Sequence, residues 1–330
     1  MTFFLGCDVS KNKVDVALVD ASGIEQWVDQ VPNTTLDLAT CVAAVAGNYP
    51  DDELCCVVES TGCYHHPFTE AAAVLGIPCR ILNPIVTKQQ IKATIRGKKT
   101  DRTDAVMIAR LGLRGEGRLA SPEPYLSTKY YARSCQKFSN LAGSLKKHSR
   151  HITELLDDDL SAATATAFLD VQGALEQAKR QLYRDLAASA RGEVFTLLQT
   201  IPGVGPYVSA SLIGEIQDMK RFGTAKALTA YAGLDPKIRQ SGHTLNNTGK
   251  LTKRGSSYLR RSLFIAASIS RQYDPKMKAF YDKKRGEGKS YKVATCAVAR
   301  KLLTLVRAMW LSGNKYDPTL KIRTPEVKGT

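Results

Sequence analysis

The chain has 330 residues, of which 43% are hydrophobic, and this is enough apolar material for ordinary globular cores. At roughly 100–200 residues per domain, the length predicts two or three domains. No apolar run approaches the ~20 residues that a bilayer-spanning helix needs. The first residues lack the basic segment of a secretion signal and reach a carboxylate at Asp8. We therefore expect a cytoplasmic protein with no membrane partner.

The cysteine pattern argues against metal clusters and disulfides. None of the eight cysteines forms a C-x-x-C pair, and most lie in apolar stretches. We expect them to be reduced and to behave as small hydrophobic residues.

The net charge of +16 is concentrated at the C-terminal end of the chain. Residues 237–330 contain 22 Lys and Arg against 5 Asp and Glu, whereas the rest of the chain has 25 basic and 26 acidic residues. A region this basic indicates a polyanionic partner, and counterion release favours nucleic acid. An anionic membrane surface is the competing interpretation, but no basic amphipathic helix stands out at a terminus.

Residues 1–124 have the pattern of an α/β domain. Apolar and β-branched runs separated by polar turns predict five strands, at Phe3–Val9, Val14–Asp20, Ile24–Gln30, Leu54–Glu59 and Cys79–Leu82. Apolar periodicity predicts three helices, at Leu36–Ala46, Phe68–Leu75 and Thr103–Arg114. The resulting order βββ-α-β-α-β-α is that of the ribonuclease-H-like fold.

The remaining two regions are predicted to be mainly helical. Residues 125–195 carry heptad-like apolar spacing on both sides of an Asp-Asp-Asp break, which predicts a coiled-coil-like helical hairpin. Both a core helix pair and a protruding dimerisation arm fit this pattern. Residues 196–330 form the basic region, where Pro202-Gly203-Val204-Gly205 precedes a predicted helix. This turn resembles a helix-hairpin-helix element that binds a backbone phosphate, although packing alone also explains it.

Four carboxylates occupy positions that suit a metal site. Asp8 and Glu59 end two predicted strands, and Asp101 and Asp104 are three residues apart at the start of a predicted helix. Clustered carboxylates repel each other, and a divalent cation such as Mg²⁺ removes that cost. Taken singly, each is more simply a solvated surface residue or a helix-start residue.

Several segments resemble the DEDD insertion-sequence transposases, whose relatives include the Piv-type DNA invertases. The resemblance covers nearly the whole chain in a consistent order, and its segments are Gly6-Cys7-Asp8-Val9-Ser10-Lys11, Glu59-Ser60-Thr61-Gly62, Lys99-Thr100-Asp101-Arg102-Thr103-Asp104-Ala105, Ile201-Pro202-Gly203-Val204-Gly205, Ala230-Tyr231-Ala232-Gly233-Leu234-Asp235-Pro236, Gln240-Ser241-Gly242, Lys253-Arg254-Gly255 and Leu259-Arg260-Arg261-Ser262-Leu263.

The resemblance implies a specific chemistry. Asp8, Glu59, Asp101 and Asp104 would bind Mg²⁺, for which Mn²⁺ can substitute, in a RuvC-like domain. Ser241 would be the nucleophile and would form a phosphoserine link to DNA during excision and insertion of a mobile element. The family also implies a bridge RNA that guides the enzyme to donor and target DNA. Its members act as dimers that assemble into a tetramer.

Residue chemistry alone leaves several points open. A serine hydroxyl needs a base or a metal to become a nucleophile, and Ser256 or Ser257 would compete with Ser241. Basic residues flanking the motifs are candidates for nucleic-acid contacts, namely Lys98, Lys99, Arg102, Lys250, Lys253, Arg254, Arg260 and Arg261. A hydrolytic RuvC-like nuclease such as a junction resolvase, and a non-catalytic nucleic-acid-binding regulator, are the alternative functions.

Overall fold

The computed structural model describes residues 1–93, 101–121, 123–155, 159–235, 251–253 and 255–319. The chain divides into two compact units, Met1–Ser121 and Pro122–Thr330. Each of the eight cysteines is a free thiol. Within the described ranges, no helix is both long enough and apolar enough to cross a membrane.

The first unit is built on one six-stranded sheet. Its strands are β1 (Thr2–Val9), β2 (Lys13–Val19), β3 (Glu25–Pro32), β4 (Glu53–Glu59), β5 (Cys79–Leu82) and β6 (Arg118–Leu119). Their order across the sheet is β3-β2-β1-β4-β5-β6. The strands β1, β2 and β3 are antiparallel neighbours, β4 and β5 run parallel to β1, and β6 returns antiparallel. This topology confirms the ribonuclease-H-like prediction for the N-terminal part of the chain.

Helices cover both faces of this sheet. They are α1 (Thr35–Asn48), α2 (His66–Val74), α3 (Pro84–Ala93) and α4 (Asp101–Leu113). On one face, α1 and α2 pack against a core that includes Leu5, Cys7, Val16 and Val58. On the other face, α4 packs against Ala17, Val19, Val57 and Leu82. Because side chains alternate along a strand, the residues between those of the first core belong to the face that carries α4.

Two glycines allow α4 to lie unusually close to the sheet. A Cβ atom on Gly6 of β1 would stand 2.3 Å from the Ala105 carbonyl oxygen and 2.4 Å from the Ala109 amide nitrogen. A Cβ atom on Gly112 of α4 would stand 2.3 Å from a methyl carbon of Val57 on β4. The backbone of α4 therefore contacts β1 and β4 where a larger residue would clash.

The second unit begins with a long helical hairpin, α5 (Leu126–Leu155) and α6 (Asp159–Ser189). Its base packs on α8 through a small core that includes Ala132, Cys135 and Leu186. Beyond this base, no described side chain from 143 to 185 is buried, and Leu169 and Val171 are more than half exposed. The predicted hairpin is confirmed, and its outer part lacks a covering element.

The other helices of the second unit form one core. They are α7 (Glu193–Leu198), α8 (Pro206–Ile216), α9 (Ala225–Tyr231), α10 (Ser257–Tyr273), α11 (Pro275–Gly286) and α12 (Tyr291–Ser312), and a short 3₁₀ turn spans Met219–Arg221. The turn before α8 lies against α10, since a Cβ atom on Gly203 would stand 2.7 Å from the Ala266 oxygen and from the Ser270 nitrogen. This contact supports the packing interpretation of that turn.

Most predicted elements of residues 1–124 agree with the structure, and the elements that were not predicted are a polar helix and a two-residue strand. The predicted strands and helices of residues 1–124 are present with small shifts of their ends, whereas α3 and β6 were not predicted. The predicted boundary near residue 124 lies close to the division between the two units, and the hairpin belongs to the same compact unit as the C-terminal helices. The three-domain assignment of 1–124, 125–195 and 196–330 stays a prediction.

We expect Gly6→Ala to lower the free energy of unfolding by about 1–3 kcal/mol, because the added methyl group must push α4 away from β1. The matched control is Gly47→Ala in α1, where a Cβ atom would meet nothing within 4 Å and where alanine is the better helix former. Urea unfolding of both variants measures the difference. Equal stability of the two variants would contradict the close-packing argument.

Candidate active site

Asp8 and Glu59 lie at adjacent positions on two neighbouring parallel strands. The register of β1 and β4 pairs Gly6 with Val57 and Cys7 with Val58, so Asp8 and Glu59 come next on each strand. Neighbouring strands are about 4.8 Å apart. Asp8 is two residues after Gly6, and Glu59 is two residues after Val57; Gly6 and Val57 both contact α4. Because side chains alternate along a strand, Asp8 and Glu59 therefore lie on the face of the sheet that α4 covers. Both are partly exposed.

The Glu59 carboxylate is held by two threonine hydroxyls. Thr61 donates a hydrogen bond of 3.2 Å to one oxygen, and the buried Thr87 of α3 donates to the other oxygen. These bonds use one lone pair of each oxygen and fix the direction of the carboxylate. The side chain keeps acceptor capacity for a further ligand.

Asp15 is a third carboxylate on the same face, and the sequence-based prediction missed it. It is paired in register with Asp8 across β1 and β2, and it accepts a hydrogen bond of 2.9 Å from the Gln30 side chain. Directly opposite residues of an antiparallel pair point to the same side of a sheet. The alternation of Val14, Val16 and Leu18 with Asp15 in the sequence could have revealed it once the hairpin register was assumed.

The other two predicted ligands belong to α4. Asp101 is its first residue, and Asp104, which is partly exposed, precedes Ala105, the residue that contacts Gly6. The side chain of Asp101 lies outside the described part. Among the side chains that are described, no three histidines, cysteines or carboxylates stand close enough together to hold a metal ion. The structure thus brings Asp8 and Glu59 to one place and puts the helix that carries Asp101 and Asp104 across the same face.

The structure separates the three candidate serines. Ser241 lies outside the described residues. Ser256 caps α10: its hydroxyl accepts from the Leu259 amide at 3.1 Å and donates to the Glu215 carboxylate at 2.8 Å. Ser257 is exposed at the first position of α10. Because the single hydroxyl proton of Ser256 already has a buried partner, Ser256 is a poor candidate for the nucleophile.

Glu215 is the centre of a buried polar network that the sequence did not suggest. It is only 1% exposed, and its carboxylate accepts from Arg133 of α5 through Nε at 2.6 Å and a terminal nitrogen at 3.1 Å. Hydrogen bonding to Glu215 raises the pKa of Arg133 against the opposing effect of burial. The Arg133 guanidinium also lies over the Tyr258 ring, 4.7 Å from its centroid. A single glutamate in an apolar run gives no sequence cue to such a network.

The two ends of segment 236–250 are joined by described residues. Thr252 donates to Asp235 twice, from its amide to the backbone oxygen at 3.0 Å and from its hydroxyl to the carboxylate at 2.6 Å. The Ser256 amide donates to the Tyr231 carbonyl oxygen at 2.7 Å. A Cβ atom on Gly255 would stand 2.0 Å from that same oxygen, so only glycine fits there. Asp235 and Thr252, which flank the segment that contains Ser241, are therefore held together.

The predicted nucleic-acid contacts are only partly described. Lys98, Lys99, Lys250 and Arg254 lie outside the described residues, as does the side chain of Arg102. Lys253 is exposed, and Arg260 and Arg261 are partly exposed. Arg261 donates a hydrogen bond of 2.6 Å to Asn140 of α5.

Two family models match this chain. A model of the IS110-type DEDD transposases, described as Transposase, matches residues 5–158. A second model, described as Transposase IS116/IS110/IS902 family, matches residues 195–282. The chain belongs to the IS110/IS116 family of DEDD transposases. It is accordingly an enzyme of the DNA transposase or recombinase class.

Several relatives of this transposase match over most of their length. The pilin gene-inverting protein of Moraxella bovis is 26% identical over 316 residues, which are 95% of this chain and 97% of that protein. The transposase for insertion sequence element IS1111A of Coxiella burnetii is 22% identical, with 80% of this chain and 76% of that protein covered. The structure of T. thermophilus RuvC in complex with a Holliday junction substrate is 13% identical, and the match covers 36% of this chain and all of that one at a TM-score of 0.29.

We expect Glu215→Gln to lower the free energy of unfolding by about 2–3 kcal/mol, because it leaves the Arg133 charge without its carboxylate partner and weakens the cap of α10. The control is Glu154→Gln, which removes an exposed ion pair with Arg150 and should cost less than about 0.5 kcal/mol. Thermal unfolding measures both. A loss no greater than that of the control would contradict the assigned network.

Proposed function

We propose that this transposase cuts and rejoins DNA to excise and insert a mobile element, with metal-dependent chemistry at the carboxylates of the first unit. The observation that carries the proposal is the placement of Asp8 and Glu59 side by side on the sheet face that α4 covers. The relatives that match over most of the chain are a transposase and a gene-inverting protein. Both names fit an activity that breaks and joins DNA strands.

The carboxylates fit a divalent metal by their chemistry. Oxygen donors are what Mg²⁺ prefers, and the neighbouring positions of Asp8, Asp15 and Glu59 gather three carboxylates on one face of the sheet. Asp8, Glu59, Asp101 and Asp104 would hold Mg²⁺ or Mn²⁺. The metal would neutralise charge on the phosphate and activate the attacking oxygen. Thr61 and Thr87 keep the Glu59 carboxylate oriented for this purpose.

Ser241 is the proposed nucleophile. Its oxygen would form a bond to phosphorus while the bond from phosphorus to the sugar oxygen breaks, and the serine proton would end on the departing sugar hydroxyl. A phosphoserine link conserves the energy of the phosphodiester, so rejoining needs no external energy source. Two observations support this choice: the Ser256 hydroxyl is already bonded, and the ends of segment 236–250 are joined within the basic unit.

Hydrolysis is the alternative, with water in place of Ser241 as in a RuvC-like nuclease. The described carboxylates support it, because Asp8 and Glu59 lie where such a reaction needs them, and it requires no residue outside the first unit apart from DNA contacts. A non-catalytic regulator is disfavoured by the same carboxylates.

The proposed partners are donor and target DNA, a bridge RNA and further copies of the chain. The excess of positive charge in residues 237–330 supports nucleic-acid partners without distinguishing DNA from RNA. The uncovered outer part of the α5–α6 hairpin, with Leu169 and Val171 exposed, supports its use as a contact between copies. Dimers that assemble into a tetramer are the proposed form.

We expect Asp8→Asn and Glu59→Gln each to reduce Mg²⁺-dependent DNA cleavage at least about 100-fold, because each removes a carboxylate oxygen charge from the metal site. Thermal stability and DNA affinity without metal should not fall, because each variant removes one of several charges that repel each other and the DNA backbone. Cleavage of a supercoiled plasmid carrying donor and target sites is the measurement. The control is Asp51→Asn, an exposed carboxylate of the same unit, which should cleave like the wild type. Full activity in both site variants would remove these residues from the mechanism.

We expect the wild-type protein, with Mg²⁺ and RNA transcribed from the flanking non-coding region, to form a protein–DNA adduct that resists denaturant. The adduct should be absent in Ser241→Ala and present in Ser257→Ala, an exposed serine used as the control. Gel electrophoresis of labelled DNA under denaturing conditions detects it. Cleavage without any adduct would instead establish the hydrolytic alternative. Adduct formation that does not depend on the RNA would contradict guidance by it.

A further inference from the structure

Three basic side chains of the second unit come together around Cys296. Cys296 lies on α12, and Arg300 follows it by one helical turn, so both are on one side of that helix. Arg260 belongs to α10, which packs along α12, and Lys253 precedes α10. Burial raises the pKa of the Cys296 thiol, while the charges of Arg300, Arg260 and Lys253 each act to lower it. All three cations are therefore within electrostatic reach of one half-buried atom.

Gly233 lies against both the Arg260 side chain and the backbone of Lys253. It has a φ of +63°, and a Cβ atom there would stand 2.4 Å from a guanidinium nitrogen of Arg260 and 3.2 Å from the carbonyl carbon of Lys253. Arg260 also donates to the Ala232 carbonyl oxygen at 3.2 Å. Lys253 itself has a φ of 54°, a left-handed conformation that is unfavourable for a residue with a Cβ atom. The neighbouring bonds of Thr252 to Asp235 hold this conformation.

These cations lack a counter-charge in the described part of the chain. None of the ion pairs between described residues includes Lys253, Arg260 or Arg300. Lys253 is exposed, and the two arginines are partly exposed, so a ligand can reach them. Three like charges that act on one atom also repel each other, and an anion bound among them would relieve that repulsion.

We propose that Lys253, Arg260 and Arg300 form a binding site for one backbone phosphate of DNA. The site adds Arg300, from the last helix, to two residues that the motifs already suggested. Guanidinium groups suit this ligand because they can donate paired hydrogen bonds to phosphate oxygens. The choice of DNA over RNA rests on the proposed function, since the site adjoins the fixed ends of the segment that carries Ser241.

The first test measures DNA affinity without any chemistry. Fluorescence anisotropy of a short labelled duplex of arbitrary sequence is followed in buffer without Mg²⁺ and without RNA, for Arg300→Gln, Lys253→Gln and the conservative Arg300→Lys. We expect each glutamine variant to weaken binding about tenfold and to reduce the slope of log affinity against log salt by about one. Arg300→Lys should lose less affinity and keep the wild-type slope, because it retains the charge. Arg285→Gln, an exposed residue of α11, is the control of equal charge.

Equal losses in Arg285→Gln and Arg300→Gln would overturn the proposal, because they would mean that only the charge of the whole unit matters. Unchanged DNA affinity in Arg300→Gln would also overturn it. The assignment to DNA fails if the variant loses affinity for a labelled RNA duplex and keeps its affinity for DNA.

The second test uses Cys296 as a local reporter. Alkylation of its thiol, followed by peptide mass spectrometry, should slow in Arg300→Gln because a charge that lowers the thiol pKa is lost. The DNA duplex should protect Cys296 in the wild type, and the exposed Cys63 is the internal control. Alkylation of Cys296 that DNA leaves unchanged would overturn the site. Since neither test needs metal, RNA or strand cleavage, the phosphate site can fail while recombination stands, or stand while recombination fails.

Discussion

The close contact between α4 and the strands β1 and β4 is the constraint on which the candidate active site depends. Asp8 and Glu59 are neighbours through the sheet itself, whose hydrogen-bonded register sets their separation. Asp101 and Asp104 belong to a helix, so their relation to the strands depends on how α4 packs. Gly6 and Gly112 allow the backbone of α4 to pack closely against the sheet, because a Cβ atom at either position would stand 2.3 Å from a neighbouring atom. Glycine in a strand or helix loses more conformational entropy on folding than other residues do. Here that loss is accompanied by a close, defined packing of α4 on β1 and β4.

A different kind of interaction organises the second unit. Glu215 is a buried charge, and burying a charge is unfavourable unless it is paired and hydrogen-bonded. Its partners, Arg133 and Ser256, come from α5 and from the start of α10, so the network ties three distant parts of the sequence together. An apolar contact could stabilise these helices equally well, but it would tolerate sliding. The bidentate bond from Arg133 defines one orientation and thereby fixes the start of α10.

The sequence predicted what local patterns encode and missed what only tertiary contacts create. Strands β1 to β5 were predictable because β-branched runs alternate with polar turns, and the meeting of Asp8 with Glu59 followed from assuming neighbouring strands. The two-residue β6 is too short for any periodicity. Glu215 was missed because it sits in an apolar helix without a neighbouring motif. Arg300 was missed because only the packing of α12 on α10 brings it toward Arg260.

The distribution of charge indicates that cations must bind to the carboxylates before a DNA phosphate does. The 236 residues before position 237 are nearly neutral overall, whereas the last 94 carry almost the whole positive excess. A DNA backbone is therefore attracted to the C-terminal region, while Asp8, Asp15 and Glu59 on one sheet face repel it. A phosphate can come close to those carboxylates only after cations have neutralised them. A divalent metal held by these carboxylates would supply that neutralisation.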